Sequence, residues 1–267
     1  MNLDRFSINQ MTVKQLPLPK LVEECVRLGV PGIGLWRDPV KEYGVDETAA
    51  LMQEAGLKVT TLCRGGFFTT DGWEADNRAA IDEAAALGTD TLVLVSGGLP
   101  AGSRDLPGAR ARIADAIGTL APYAGERGVR LAIEPLHPMY ASDRCAISTL
   151  DQALDIAERH PADQVGVTVD TYHLWWDENA PAAVERAAAG GRVHSFQLAD
   201  WTTPLPEGVL DGRGQLGTGA IDLTWWSGLL ERVGYTGPVE VELFNDTLWA
   251  RDGVEVLEET LEAFLKV

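Results

Sequence analysis

Apolar residues recur along this chain in two ways, as short continuous runs and as longer stretches of helical period, and the two kinds alternate from the N-terminus onward. The short runs, several rich in β-branched residues, read as buried strands: Phe6–Asn9, Gly32–Trp36, Lys58–Cys63, Thr91–Val95, Leu131–Glu134, Val165–Asp170, Val193–Gln197 and Pro238–Phe244. The helical stretches are Leu18–Gly29, Asp46–Gly56, Asn77–Leu87, Gly108–Glu126, Leu150–Arg159, Pro181–Ala189, one opening at Asp222, and Val254–Leu265. Thr149 is placed to cap the fifth of these, and Gly29, Gly56, Gly88, Gly128 and Gly190 stand where helices should stop. Strict alternation of strand and helix implies parallel strands with crossover helices, in a closed barrel or an open doubly wound sheet. Eight repeats in 267 residues favour a (β/α)8 TIM barrel filling one domain over residues 1–267. No G-x-G-x-x-G follows the first strand, and the glycines of the loop from Thr202 to Gly219 lie far from that position, so a dinucleotide site is not indicated.

The polar residues within this pattern fall at strand ends. Glu134, Asp170, Gln197 and Glu242 close four successive predicted strands, at intervals of 36, 27 and 45 residues. In a barrel they share the C-terminal mouth, the face that carries active sites in this architecture. A carboxylate at the end of a buried strand needs a cation or a hydrogen-bond partner, because its unpaired burial costs several kcal/mol or more. Four oxygen donors suit a hard or borderline divalent ion, Mg²⁺ or Mn²⁺, better than Zn²⁺, which usually recruits His or Cys. Any one of these residues taken alone is as well explained as an ordinary polar strand end; four in succession are not.

Composition narrows the partners. A formal net charge of -18 argues against nucleic acid and anionic membrane surfaces, both bound through basic patches. The N-terminal residues lack the signature of a secretory signal, no apolar run is long enough for a membrane helix, and the three cysteines, Cys25, Cys63 and Cys145, form no C-x-x-C pair. A reducing, cytoplasmic setting is the expectation. Oligomers of like or unlike chains are compatible with the sequence.

The series Ile-Glu134-Pro, Val-Asp170-Thr-Tyr-His173, Phe-Gln197-Leu-Ala-Asp200, Gly217-Thr-Gly219-Ala-Ile-Asp222 and Val-Glu242 resembles the sugar phosphate isomerase/epimerase superfamily, the xylose-isomerase-like TIM barrels. The resemblance implies that Glu134, Asp170, Gln197 and Glu242 hold one divalent metal, and that Glu134 and Glu242 act as acid and base. The reaction it implies is proton removal beside the carbonyl of a sugar, through a metal-stabilised enediolate. Gln197 stands where ketose 3-epimerases usually carry His, closer to the hydroxypyruvate isomerase pattern. His137 stands where Asn is common, and matches a base of relatives that cleave C-glycosides and other 3-keto-glycosides by elimination. The resemblance places His173 and Arg213 at substrate-contacting positions. Strand ends add Arg64 and Trp36 as linings of a sugar pocket, and Asp200 as a group orienting the ligand. Three functions follow in order: an isomerase or epimerase, a lyase on keto-glycosides, and a non-catalytic barrel that binds a sugar or a partner protein. His194 alternates to the face opposite Gln197 and is expected to pack outward.

Overall fold

The computed structural model describes residues 1–206 and 210–267; residues 207–209, inside the predicted loop 202–219, lie outside it. Eight parallel strands, β1 (Phe6–Asn9), β2 (Gly32–Trp36), β3 (Lys58–Gly66), β4 (Thr91–Val95), β5 (Arg130–Glu134), β6 (Val165–Asp170), β7 (Val193–Leu198) and β8 (Val239–Val241), close into a barrel in the order β1-β8-β7-β6-β5-β4-β3-β2. The α/β barrel expected from the alternation is therefore the fold. Among the described residues no helix is long and apolar enough to cross a membrane. By the density of its internal packing the chain divides into two compact units, one of residues Met1–Thr60, Asp170–Tyr172 and Phe196–Val267, the other of Thr61–Val169 and His173–Ser195.

In the first unit, β1 pairs with β2 and β8, and β8 pairs with β7. Strand alternation sends Phe6, Ile8, Val239, Val241, Phe196 and Leu198 to the outer face, all of them buried. Phe6 meets Phe264 of the closing helix α11 (Gly253–Phe264), ring centroids 4.8 Å apart. The inner face carries Ser7, Asn9, Gln197, Glu240 and Glu242. Glycines at 32 and 34 keep β2 thin here: a Cβ at Gly32 would lie 2.7 Å from Thr60 Cγ2, and one at Gly34 would lie 2.3 Å from Glu240 Oε2. Outside the strands pack α1 (Leu18–Leu28), α2 (Arg37–Tyr43), α3 (Val45–Ala55) and α9 (Leu223–Arg232), the last capped by Asp222, which accepts from Trp225 N–H.

In the second unit, β4 pairs with β3 and β5, and β5 with β6. Asn77 of α4 (Trp73–Ala86) grips the end of β3, accepting from Gly66 N–H and donating to Gly66 O at 2.6 and 2.8 Å. α5 (Leu106–Glu126) starts at the Asp105 cap, α6 (Leu150–Ala157) at the predicted Thr149 cap, and α8 (Ala180–Ala189) stops before Gly190-Gly191. His194 packs as alternation predicted, its Nε2 2.8 Å from Ala162 O.

Two differences from the sequence reading have local causes. β8 ends at Val241 and not at Phe244, because Leu243 N–H turns away to the hydroxyl of Thr12. Strict one-to-one alternation also fails, since α2 and α7 (Thr171–Leu174) follow directly on strand ends, α10 (Asp246–Trp249) starts a few residues after β8, and all three are too short to show a helical period.

Candidate active site

At the mouth end of β8, Glu242 is buried and its carboxylate accepts from Arg213 Nη2 at 3.2 Å. The same nitrogen reaches Asp170 Oδ2 at 3.4 Å. Arg213 is held in place from outside the carboxylates: its guanidinium lies 4.6 Å from the centroid of Tyr172 and 5.0 Å from that of Phe244. Asp170 also accepts Tyr172 N–H, at 2.8 Å. Burial pushes the Glu242 carboxyl up to about 8; Arg213 opposes this, while Asp170 and Glu240 add to it. Burial raises Asp170 as well, against Arg213. Among the described residues, Gln197 Oε1 and Glu242 Oε1 are buried with no hydrogen-bond partner.

Within the second unit, ligand-type atoms of Glu134 and His173 lie within 4.8 Å of one another. His173 Nδ1 accepts His137 N–H at 3.2 Å, so its ring hydrogen rests on Nε2. His173 therefore presents a hydrogen-bond donor at that nitrogen and not the lone pair that a cation requires. His137 itself caps the short turn Pro138–Tyr140, accepting Met139 N–H at 3.3 Å, and stands edge-on to Trp176 with centroids 5.5 Å apart. It is half-buried, and burial lowers its pKa.

The remaining predicted residues separate into two kinds. Trp36 is half-buried, its Nε1 donating to Asn9 Oδ1 and its ring edge-on to Phe244 at 5.5 Å. Arg64 stacks on the ring of Phe67 at 4.0 Å. Asp200 is spent on its own loop: Oδ1 accepts Trp201 N–H and Ile221 N–H, and Oδ2 accepts Gly219 N–H. A Cβ at Gly219 would lie 2.5 Å from Asp200 Oδ1, so glycine is required there for the carboxylate to reach the backbone. That arrangement holds the segment after Arg213.

The sequence profile of the xylose isomerase-like TIM barrels matches residues 22–264. The chain belongs to that family. Among relatives of this xylose isomerase-like barrel, inosose isomerase of Bacillus velezensis is 30% identical over 156 residues, 56% of this chain and 53% of the relative. 3-Dehydroshikimate dehydratase of Pseudomonas putida is 27% identical over 243 residues, 86% of this chain and 36% of the relative. The chain thus spans about half of the first and about a third of the second, and both are named as enzymes. Protein SMc04130 from Sinorhizobium meliloti 1021, a solved structure, is 40% identical, with a TM-score of 0.95 over 99% of this chain and 98% of that one.

Several residues of the xylose isomerase-like barrel that touch this group escaped the sequence reading. Tyr172 and Phe244 flank Arg213, and Asn9, Thr60 and Glu240 form a polar layer beneath Gln197. The signal for Glu240 was present: in Val239-Glu-Val-Glu242 it has the same parity as Glu242 and must share its face.

Proposed function

We propose that this chain is a divalent-metal-dependent isomerase or epimerase, acting on a small sugar or hydroxyketone by removing a proton beside the carbonyl. The observation that carries the reading is the pair of buried oxygens that find no partner among the described residues, Gln197 Oε1 and Glu242 Oε1, with Arg213 joining the Glu242 carboxylate to that of Asp170. Buried oxygens of this kind are stable only when a cation or donor reaches them. Glu134, Asp170, Gln197 and Glu242 are an all-oxygen set and fit a hard or borderline divalent ion, Mn²⁺ or Mg²⁺ first. When bound, such an ion supplies Lewis acidity, lowering the pKa of a C–H next to a substrate carbonyl.

The chain's own groups do the rest. Glu242, whose carboxyl burial pushes up to about 8, and Glu134 form the acid/base pair. Arg213, with five donors and a fixed orientation, binds substrate oxygen while balancing the two carboxylates it touches. His173 donates from Nε2 to a substrate hydroxyl, and the faces of Trp36 and the Arg64 side chain line the sugar.

A second reading is favoured by the position of His137 and by the dehydratase relative. Isomerisation and elimination of a hydroxyketone share their first step, proton removal beside the carbonyl; they differ in whether the proton returns or a neighbouring group departs. His137, half-buried beside Trp176 and held neutral by burial, is suited to the part of the base in such an elimination. One experiment separates these. Metal content is measured on the purified protein, and exchange of substrate protons with D₂O is followed by NMR over ketoses, inososes and 3-keto-glucosides. Bound metal with exchange and a rearranged sugar supports the isomerase; exchange accompanied by loss of water or aglycone moves the assignment to lyase. A protein that takes up no divalent ion and exchanges no proton refutes both and leaves a binding barrel.

A further inference from the structure

We propose that Glu240, which has no part in the chemistry above, is the positioning residue of this site: a single buried carboxylate sets the direction of two side-chain amides, one in the ligand set and one behind the substrate-lining indole. Glu240 is 1% exposed on the inner face of β8, one inner-face position below Glu242. Its Oε1 accepts from Gln197 Nε2 at 3.1 Å and from Asn9 Nδ2 at 2.7 Å; its Oε2 accepts from the hydroxyl of Thr60 at 3.0 Å. Thr60 is itself 2.7 Å from the hydroxyl of Ser7.

An amide has a donor end and an acceptor end, and an ionised carboxylate only accepts. With both amides directed at Glu240 Oε1, their NH₂ ends must face it and their carbonyl ends must face away. For Gln197 the far end is Oε1, the buried oxygen left without a partner. For Asn9 the far end is Oδ1, which accepts Trp36 Nε1–H at 2.9 Å and Met11 N–H at 3.0 Å. A flip of Gln197 would place two hydrogens where the ligand oxygen stands, and a flip of Asn9 would release the indole of Trp36. The backbone is shaped for this group: Gly34 leaves open the volume that Glu240 fills, since a Cβ there would sit 2.3 to 2.5 Å from its carboxylate.

The metal half of this inference rests on the reading above; the orientation of Gln197 does not. The tests are therefore made with and without metal. E240Q keeps each contact if its Oε1 takes the two amides and its Nε2 donates to Thr60, whose hydroxyl then turns to Ser7; E240M keeps none. Mn²⁺ affinity, measured by competition with a chelating dye, is expected to stay within about threefold in E240Q and to fall about 10- to 100-fold in E240M. Because the effect runs through Gln197, E240M in a Q197A background should lower affinity no further than Q197A alone. Equal losses in both backgrounds, or none in either, overturn the proposal. In the metal-free protein, ¹⁵N-glutamine labelling follows the Gln197 amide directly. Its resonances are expected to move in E240Q, where a charged acceptor becomes neutral, and this readout survives even where E240M does not fold. Unmoved resonances overturn the assignment whatever the metal result, whereas moved resonances in a chain that binds no metal uphold the orientation of Gln197 and refute only the metal-binding reading.

Discussion

His194 offers a test of the fold that is independent of the active-site chemistry. Its ring fills the space vacated by Gly166, where a Cβ would lie 2.6 Å from Cε1 and Nε2, and its Nε2 donates to Ala162 O. Among the described residues Nδ1 is buried without a partner, so a second proton there would find no acceptor in them. Burial, aided by the charge of Arg130, lowers the imidazole from its ordinary 6.5 to about 4; the Ala162 carbonyl and Asp90 oppose this. Since the folded value lies below the unfolded one, the unfolded chain binds the proton first on acidification. The stabilisation is fully present above about pH 6.5 and is lost as the pH falls toward about 4. At about 1.4 kcal/mol per pH unit, the loss amounts to about 2 kcal/mol by pH 5 and about 3 kcal/mol by pH 4.

H194Q isolates this contribution, because glutamine donates to Ala162 O but does not titrate. Urea unfolding of the wild type and H194Q is measured from pH 8 to pH 5. H194Q should be the less stable protein at pH 8, where its imperfect filling of the ring's space is the only difference. The gap should narrow by about 2 kcal/mol on reaching pH 5. The difference between variants removes the other titrations, including those of Glu242 and Asp170, which act alike in both. A gap that is constant with pH would refute the assignment of His194 as a buried neutral donor.

R213M removes the cation from two buried carboxylates, so the metal-free protein should lose about 3 kcal/mol, and a saturating divalent ion should restore more stability to R213M than it adds to the wild type; equal thermal shifts on adding Mn²⁺ would refute this. G34A forces a methyl against the Glu240 carboxylate, which Asn9, Thr60 and Gln197 hold in place, and should cost about 1–3 kcal/mol in urea unfolding; an unchanged midpoint would mean that the layer gives way freely. We propose that residues 1–267 fold as one domain, so tryptophan fluorescence and far-ultraviolet circular dichroism should report coincident urea transitions; separated midpoints would divide the chain.

What was legible in the sequence depended on length scale. Pattern located all eight strands because each is a short apolar or alternating run, and Thr149 and Asp222 marked the starts of their helices because a side-chain oxygen just before an apolar period readily caps it. The short helices α2, α7 and α10 were missed because four to seven residues cannot display a period. Within the site, parity along a strand identifies the face of a residue but not its depth. Glu240 and Glu242 have the same parity, and the more C-terminal one reads as the ligand because mouths carry chemistry. The residue beneath it becomes visible only when cross-strand register brings Ser7, Glu240 and Gln197 side by side. The backbone partners of Asp200 were hidden for the opposite reason. It sits in the right motif at the right strand end, but its partners are backbone N–H groups at 201, 219 and 221, and backbone geometry across a loop leaves no mark on side-chain pattern except the glycine at 219. In both cases the informative residue was a glycine facing a carboxylate, Gly34 opposite Glu240 and Gly219 opposite Asp200. The absence of a side chain was the trace, in sequence, of the space that a buried charge needs.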